Sequence, residues 1–352
     1  MLEGRHLNSI LITRLRYLGD VVMATPLLEV LRRGDPRVRL GFLAEQPHGL
    51  VLEGNPHLDH LHLLETKRRG SDAQARAGQS NVGGLSSLSP WEMISHLKAC
   101  QYDLAVDLFF NPRSAWLLRF SDIPFRLAGT QGSRRMLYTH NTIPSLSPER
   151  FQKLFNRATG GLGEHLARLA PLVHLESGLG FLDWFQTEFG EAALGPQLPR
   201  EFWSEKAPQQ LSGLEKFLNE KPVVLAPGAT WPTKEWPLDH WRKLIQGLLS
   251  QTNRPLLVIQ PPSVDGKWSS LSAEIPKSRG GLLQVLSLPQ VLGIISRSAL
   301  LVSVDGGVMH TGVGLGVPTV ALFGPTDPKL WFPYSDSGPF RVLTSKIGRA
   351  HV

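Results

Sequence analysis

Cysteine is almost missing from this chain: Cys100 is the single one among 352 residues. That scarcity excludes a disulfide framework and a thiolate metal cluster, and it fits a reducing, cytoplasmic setting. No uncharged apolar run reaches the ~18 residues of a membrane-spanning helix. The opening residues are not built like a signal peptide, because Ile10, Leu11 and Ile12 are followed at once by Arg14 and Arg16. The sequence also lacks a zinc finger, an RNP-type aromatic motif and a long basic helix. The net charge of +7 and pI near 9.7 therefore do not point to nucleic acid. They suit an ordinary basic enzyme, or anionic partners such as nucleotide diphosphates, acidic glycans or a membrane surface. No GxGxxG turn follows the first strand, which disfavours a dinucleotide-dependent dehydrogenase.

What is present reads as a soluble globular chain, 41% hydrophobic and 19% charged, and long enough for two domains. The apolar run Ser9–Thr13 is of strand type. The loop RLRYLGD follows, then a helical pattern from Val21 to Arg33 with Pro26 in its first turns, then a strand at Val38–Leu43. This order opens a parallel, doubly wound sheet. Tyr102–Phe109 is a further strand, with another near Ala128. Lys67–Ser89, rich in Gly, Ser, Arg, Gln and Ala, reads as a mobile loop. A second alternating unit begins near Lys221. It has strands at Val223–Ala226, Leu256–Gln260 and Leu300–Val304 and a helix at Leu238–Leu249. Gly178–Gln210 carries prolines and glycines without periodicity. The expected division is an N-terminal domain over 1–177, a connection over 178–210 and a C-terminal domain over 211–346.

Two loops of the second unit carry chemistry. In SVDGGVMHTGVGLGVPTVALFGPTDP a strand ends at Asp305, and Gly306 and Gly307 let the backbone turn close to a ligand. His310 to Leu315 forms a helix whose free amides face that turn, a arrangement suited to phosphate. Val317–Phe323 is the next strand, followed by the turn Gly324-Pro325-Thr326. The glycines could instead serve tight turns only, but two such loops in one sheet favour a site at the carboxyl ends of its strands. The other loop, PGATWPTKEWP, offers the hydroxyls of Thr230 and Thr233 and the compact cation of Lys234. Trp231 and Trp236 either wall a pocket or pack the loop. In RLRYLGD, Asp20 falls at or near a helix N-cap, a role worth ~0.5–2 kcal/mol.

These segments resemble the bacterial heptosyltransferases of glycosyltransferase family nine. The matching pieces are ILITRLRYLGDVVMATPLLEVLR, LEGNPHLDHLHLL, YDLAVDLFFNPRSAWLLR, APGATWPTKEWP and VSVDGGVMHTGVGLGVPTVALFGPTDPKLWFPY, in the family's order over nearly the whole chain. The resemblance implies an α/β fold of GT-B architecture: two Rossmann-like, doubly wound parallel-sheet domains facing across a cleft. It implies an inverting transfer of heptose from ADP-heptose to a lipopolysaccharide-core type acceptor, an anionic glycolipid at the inner membrane surface. Asp20 matches the family's catalytic base, Lys234 the lysine on the donor diphosphate, Thr230 a phosphate-binding hydroxyl, and Asp305 the aspartate beside the donor. Gly306, Gly307 and His310 occupy its phosphate turn. Asn111 and Arg113 fall in its acceptor-side segment, and Arg14 and Arg16 are placed to hold an anionic acceptor. No DxD-like motif is present, so neither a metal nor another cofactor is expected, and the chain is expected to act as a cytoplasmic monomer, peripheral to the membrane. The other readings open at this point are a non-catalytic nucleotide-sugar-binding relative and another GT-B enzyme such as a nucleotide-sugar epimerase.

The chain departs from its relatives in places. Pro261-Pro262 stands where many have a glycine pair, and Gly306 where a small hydroxyl residue is usual. Its final KIGRAHV matches the translation of a common sequencing adapter, so a truncated gene with Ile347–Val352 foreign is the expectation.

Overall fold

The structure, a computed structural model, describes residues 8–34, 36–66, 86–109, 111–128, 133–141, 196–206, 211, 213–259, 268–283, 286–332 and 338–344. Most of the loop expected over 67–89, the Pro261-Pro262 turn and the tail from 345 lie outside the described residues. The chain divides into two compact units, 1–196 and 197–352.

The first unit is built on a six-stranded sheet of order β3-β2-β1-β4-β5-β6. Its strands are β1 (Ser9–Thr13), β2 (Arg39–Glu45), β3 (His60–Leu64), β4 (Leu104–Asp107), β5 (Phe125–Ala128) and β6 (His140–Asn141), all paired in parallel. Every residue of β1 and β4 is buried, as strands covered on both faces must be.

Between β1 and β2 the expected single helix is two, Leu18–Met23 and Thr25–Gly34. The reason is Pro26. It has no amide to offer the carbonyl of Val22, four residues back, and its ring crowds that carbonyl. Val22 instead accepts from the Thr25 hydroxyl at 2.7 Å.

The second unit repeats the plan in a six-stranded sheet of order β12-β11-β10-β7-β8-β9. These strands are β7 (Val223–Ala226), β8 (Leu256–Ile259), β9 (Gly280–Leu283), β10 (Leu300–Val304), β11 (Thr319–Phe323) and β12 (Phe340–Thr344), again all parallel. Trp241, Trp268 and the apolar residues of β7, β8 and β10 form its core. The Arg200–Lys206 helix packs on this unit: Arg200 donates to the Ser296 carbonyl at 2.8 Å, and Trp203 is fully buried. No described helix is long and apolar enough to cross a membrane.

Strand order reverses once in each sheet, between β1 and β4 in the first unit and between β7 and β10 in the second. Adjacent connections there run to opposite faces and leave a crevice at the carboxyl ends of the strands, where ligands of doubly wound sheets bind. The sequence-selected loops leave from these four strands.

Candidate active site

In the second unit an ion pair joins the loops that follow β7 and β10. Lys234, in the loop after β7, places Nζ 2.6 Å from Oδ2 of Asp305, just past the end of β10. The same oxygen accepts from the Thr326 hydroxyl at 2.6 Å. Asp305 is only 4% exposed by its side chain, against 21% for Lys234, so a buried carboxylate fixes an ammonium that still reaches solvent. The turn after β11, which carries Thr326, also touches the Lys234 loop directly. A Cβ on Gly324 would stand 3.2 Å from the Thr233 carbonyl, tighter than ordinary contact.

Beside this pair a helix begins. It spans Gly307–Gly314, one turn earlier than the expected His310–Leu315, so Gly307 is its first residue and Gly306 its cap. Gly306 is extended and carries no side chain that could satisfy the first amides, and a Cβ there would meet nothing closer than 4.0 Å. The helix therefore presents unblocked amides and its positive dipole end toward open space beside Lys234. It ends through Gly316, whose φ of 64° suits glycine. Its close seat on the sheet requires Gly312, where a Cβ would lie 2.4 Å from a Leu301 methyl. His310 is buried within this helix at 3% exposure. Thr230 is exposed on the Lys234 loop. Trp236 proves to be packing: it stacks on His240 and meets Trp241 edge to face at 5.4 Å. Trp231 is 64% exposed.

The first unit's crevice holds a second charged set. Asp20 sits in the first turn of the Leu18–Met23 helix, so the capping reading is partly right: its Oδ2 accepts from the Tyr17 amide at 3.4 Å. That oxygen also accepts from Arg14 Nη2, leaving Oδ1 outside both bonds. Arg14 spans the strand reversal, donating from Nη1 to the Leu108 carbonyl at 2.6 Å and lying 5.0 Å over the Phe109 ring. Arg16 and Arg113 converge on one carboxylate, Glu45, which is 1% exposed and ends β2. Arg113 adds a bond to the Glu65 carbonyl at 2.6 Å. Asn111 caps the Pro112–Phe120 helix, accepting from the Ser114 amide at 3.0 Å.

Three carboxylate and hydroxyl partners in these crevices have no counterpart among the sequence-selected residues. Glu45 had a faint signal, a lone carboxylate closing a buried strand. Thr326 lay in a quoted turn with no assigned partner. Asp107, fully buried at the end of β4, accepts from the Tyr138 hydroxyl at 2.5 Å and from the Phe109 amide at 2.9 Å. Burial and the facing Asp107 charge push the Tyr138 phenol well above its ordinary value.

Comparison with known proteins agrees with this geometry. The description of glycosyltransferase family 9 (heptosyltransferase) matches residues 91–345. Lipopolysaccharide heptosyltransferase 3 of Escherichia coli K12 is 23% identical, over 92% of this chain and 84% of its own length. Among solved structures, the glycosyl transferase family 9 protein of Veillonella parvula DSM 2008 has a TM-score of 0.71 at 20% identity, covering 98% of this chain and 87% of that one. The E. coli ADP-heptose lipopolysaccharide heptosyltransferase II has a TM-score of 0.69 at 19% identity, covering 97% and 92%. These likenesses establish the GT-B type of fold with its two Rossmann-like domains. Because the family match spans most of the chain and takes in the Lys234–Asp305 pair, the protein belongs to glycosyltransferase family 9, the heptosyltransferases.

Proposed function

We propose that this enzyme transfers a heptose from ADP-heptose to a lipopolysaccharide-core type acceptor, with inversion at the anomeric carbon. One observation carries the reading: Lys234, fixed by Asp305 and Thr326 beside an uncapped helix N-terminus. A nucleoside diphosphate needs a cation and oriented N–H donors where charge grows on the leaving group, and this corner supplies both. Lys234 neutralises the departing diphosphate, the amides at Gly306 and Gly307 bind its oxygens, and the Thr230 hydroxyl adds a donor. The reading assigns the cation's task to Lys234, so the transfer needs no metal.

Asp20 is the base of this proposal. Its Oδ1 takes the proton of the attacking acceptor hydroxyl while Arg14 holds Oδ2, an effect worth ~10²–10⁴ in rate. The acceptor oxygen bonds to the anomeric carbon as that carbon's bond to the diphosphate breaks. Arg16 and Arg113, gathered by Glu45, favour an anionic acceptor.

The membrane side of the proposal rests on an exposed aromatic groove of about 390 Å³ in the first unit, lined by Trp91, Ile94, Trp116 and Phe120 together with Arg113. Trp91 is 75% exposed, and Trp116 stacks on Phe120 at 5.3 Å. Aromatic rings beside a cationic group suit an anionic lipid surface, which supports a working position for the enzyme at the cytoplasmic face, beside a glycolipid acceptor.

The test offers the full-length protein ADP-heptose, UDP-sugars and GDP-sugars with a heptose-deficient core acceptor. Nucleoside diphosphate release is then followed. Turnover confined to ADP-heptose is expected; an inert ADP-heptose beside an active UDP- or GDP-sugar would overturn the donor assignment.

A further inference from the structure

On the far edge of the first sheet lies a cluster that the transfer reaction does not use. His62 comes from β3, and His96 and Cys100 from the Pro90–Cys100 helix packed beside it. His96 and Cys100 are four residues apart, so one helical turn stacks them on the same face. One ligand-capable atom from each of the three lies within 4.8 Å of the others. His62 Nδ1 is 3.0 Å from His96 Nε2, and Cys100 Sγ is 3.7 Å from that same nitrogen. A tetrahedral zinc with nitrogens at ~2.0 Å and sulfur at ~2.3 Å sets its ligands roughly 3.3–3.6 Å apart. The two spacings to His96 bracket that value, and the third pair lies within 4.8 Å.

We propose that His62, His96 and Cys100 form a divalent metal site of zinc type, separate from the donor and acceptor residues. A single cysteine rules out a thiolate cluster but not this mixed set, which is the softness zinc prefers. Three protein ligands leave the fourth position to water.

The surroundings support the assignment. With Nδ1 of His62 on the metal, its other ring nitrogen must carry the proton. That nitrogen, Nε2, lies 2.7 Å from the Tyr102 hydroxyl oxygen, the outer partner that fixes a ligating imidazole. Tyr102 is held in turn. Gly41 leaves it room, since a Cβ there would stand 2.0 Å from its hydroxyl, and Arg39 lies 5.0 Å over its ring. Arg39 also donates to the Cys100 carbonyl, pinning the end of the helix. On binding, the Cys100 thiol gives its proton to water and the three ligands donate lone pairs, with no change of oxidation state.

The experiment uses the full chain, stripped with a chelator and titrated with cobalt(II) as a spectroscopic stand-in for zinc. One cobalt per chain is expected, with tetrahedral visible bands and a near-ultraviolet thiolate-to-cobalt transition. Cys100→Ser should abolish that transition, exposed His96→Ala should weaken binding at least ~10-fold, and Tyr102→Phe should weaken it by ~10–100-fold. A circular dichroism spectrum like that of the parent chain certifies each variant as folded. No binding by the folded parent chain, or binding that Cys100→Ser and His96→Ala leave unchanged, would overturn the proposal.

Discussion

If Lys234 binds the donor diphosphate as proposed, its pair with Asp305 couples stability to donor binding, and a double-mutant cycle separates the two. In Lys234→Ala the Asp305 carboxylate, 4% exposed, keeps the Thr326 hydroxyl but loses its counter-ion. Breaking a buried pair costs ~3–5 kcal/mol, and the partial exposure of Lys234 brings the expectation here to about 2–4 kcal/mol. The same variant loses a charge-assisted contact to the donor diphosphate, worth ~1.5–3 kcal/mol, so donor Kd should rise by about 10–150-fold. Adding Asp305→Asn removes the stranded charge and should restore most of the stability. It cannot restore the cation. Urea denaturation gives the first quantity, and calorimetric titration with ADP or ADP-heptose gives the second. The predicted outcome is a double variant that is nearly as stable as the parent yet still binds donor poorly. If donor affinity returned along with stability, Lys234 would be a structural residue and the diphosphate assignment would fail.

Other perturbations probe the frame of each crevice. Glu45→Gln keeps the shape but turns an amide toward Arg16 or Arg113; about 2–4 kcal/mol of stability should be lost, discounted for the exposure of Arg16, with a raised acceptor KM. An unchanged urea midpoint would show the arginines to be independent of Glu45. Tyr138→Phe removes a donor from buried Asp107 and should cost ~1–3 kcal/mol. Because the folded Tyr138 pKa is raised above the ordinary value of 10.0, its contribution is full below pH 10 and is lost as pH rises beyond it, where the unfolded chain ionises first. The variant's stability should therefore fall less steeply above pH 10; an unaltered slope would count against the Tyr138–Asp107 bond. Gly312→Ala pushes a methyl into Leu301 and Thr319 and should destabilise by ~1–3 kcal/mol, measurable as a lowered Tm.

The strands at the two reversals were readable because they are apolar runs ended by glycine, proline or charge. Ser9–Thr13, Val223–Ala226 and Leu300–Val304 match their structural bounds because each is dominated by branched apolar residues, with at most small hydroxyl residues among them. β3 was not: its HLHLL lies at the sheet edge, and its histidines mask the strand signal. Local chemistry also explains the helix break: a proline is tolerated in a first turn, so Pro26 alone does not announce it, and the Thr25 hydroxyl relieves Val22. Partners in the sites were hidden by distance along the chain. Glu45 meets residues 29 and 68 positions away, and Thr326 meets Asp305 across 21. Such pairings arise from sheet order, which no short motif encodes.

In the proposed mechanism Lys234 and its neighbours hold the donor while Asp20 acts as base, and one variant tests that division of labour directly. Asp20→Asn should lose turnover by ~10²–10⁴ while donor Kd, measured by calorimetry on the same preparation, stays within about twofold of the parent. Normal turnover at saturating substrate together with lost donor affinity would contradict it.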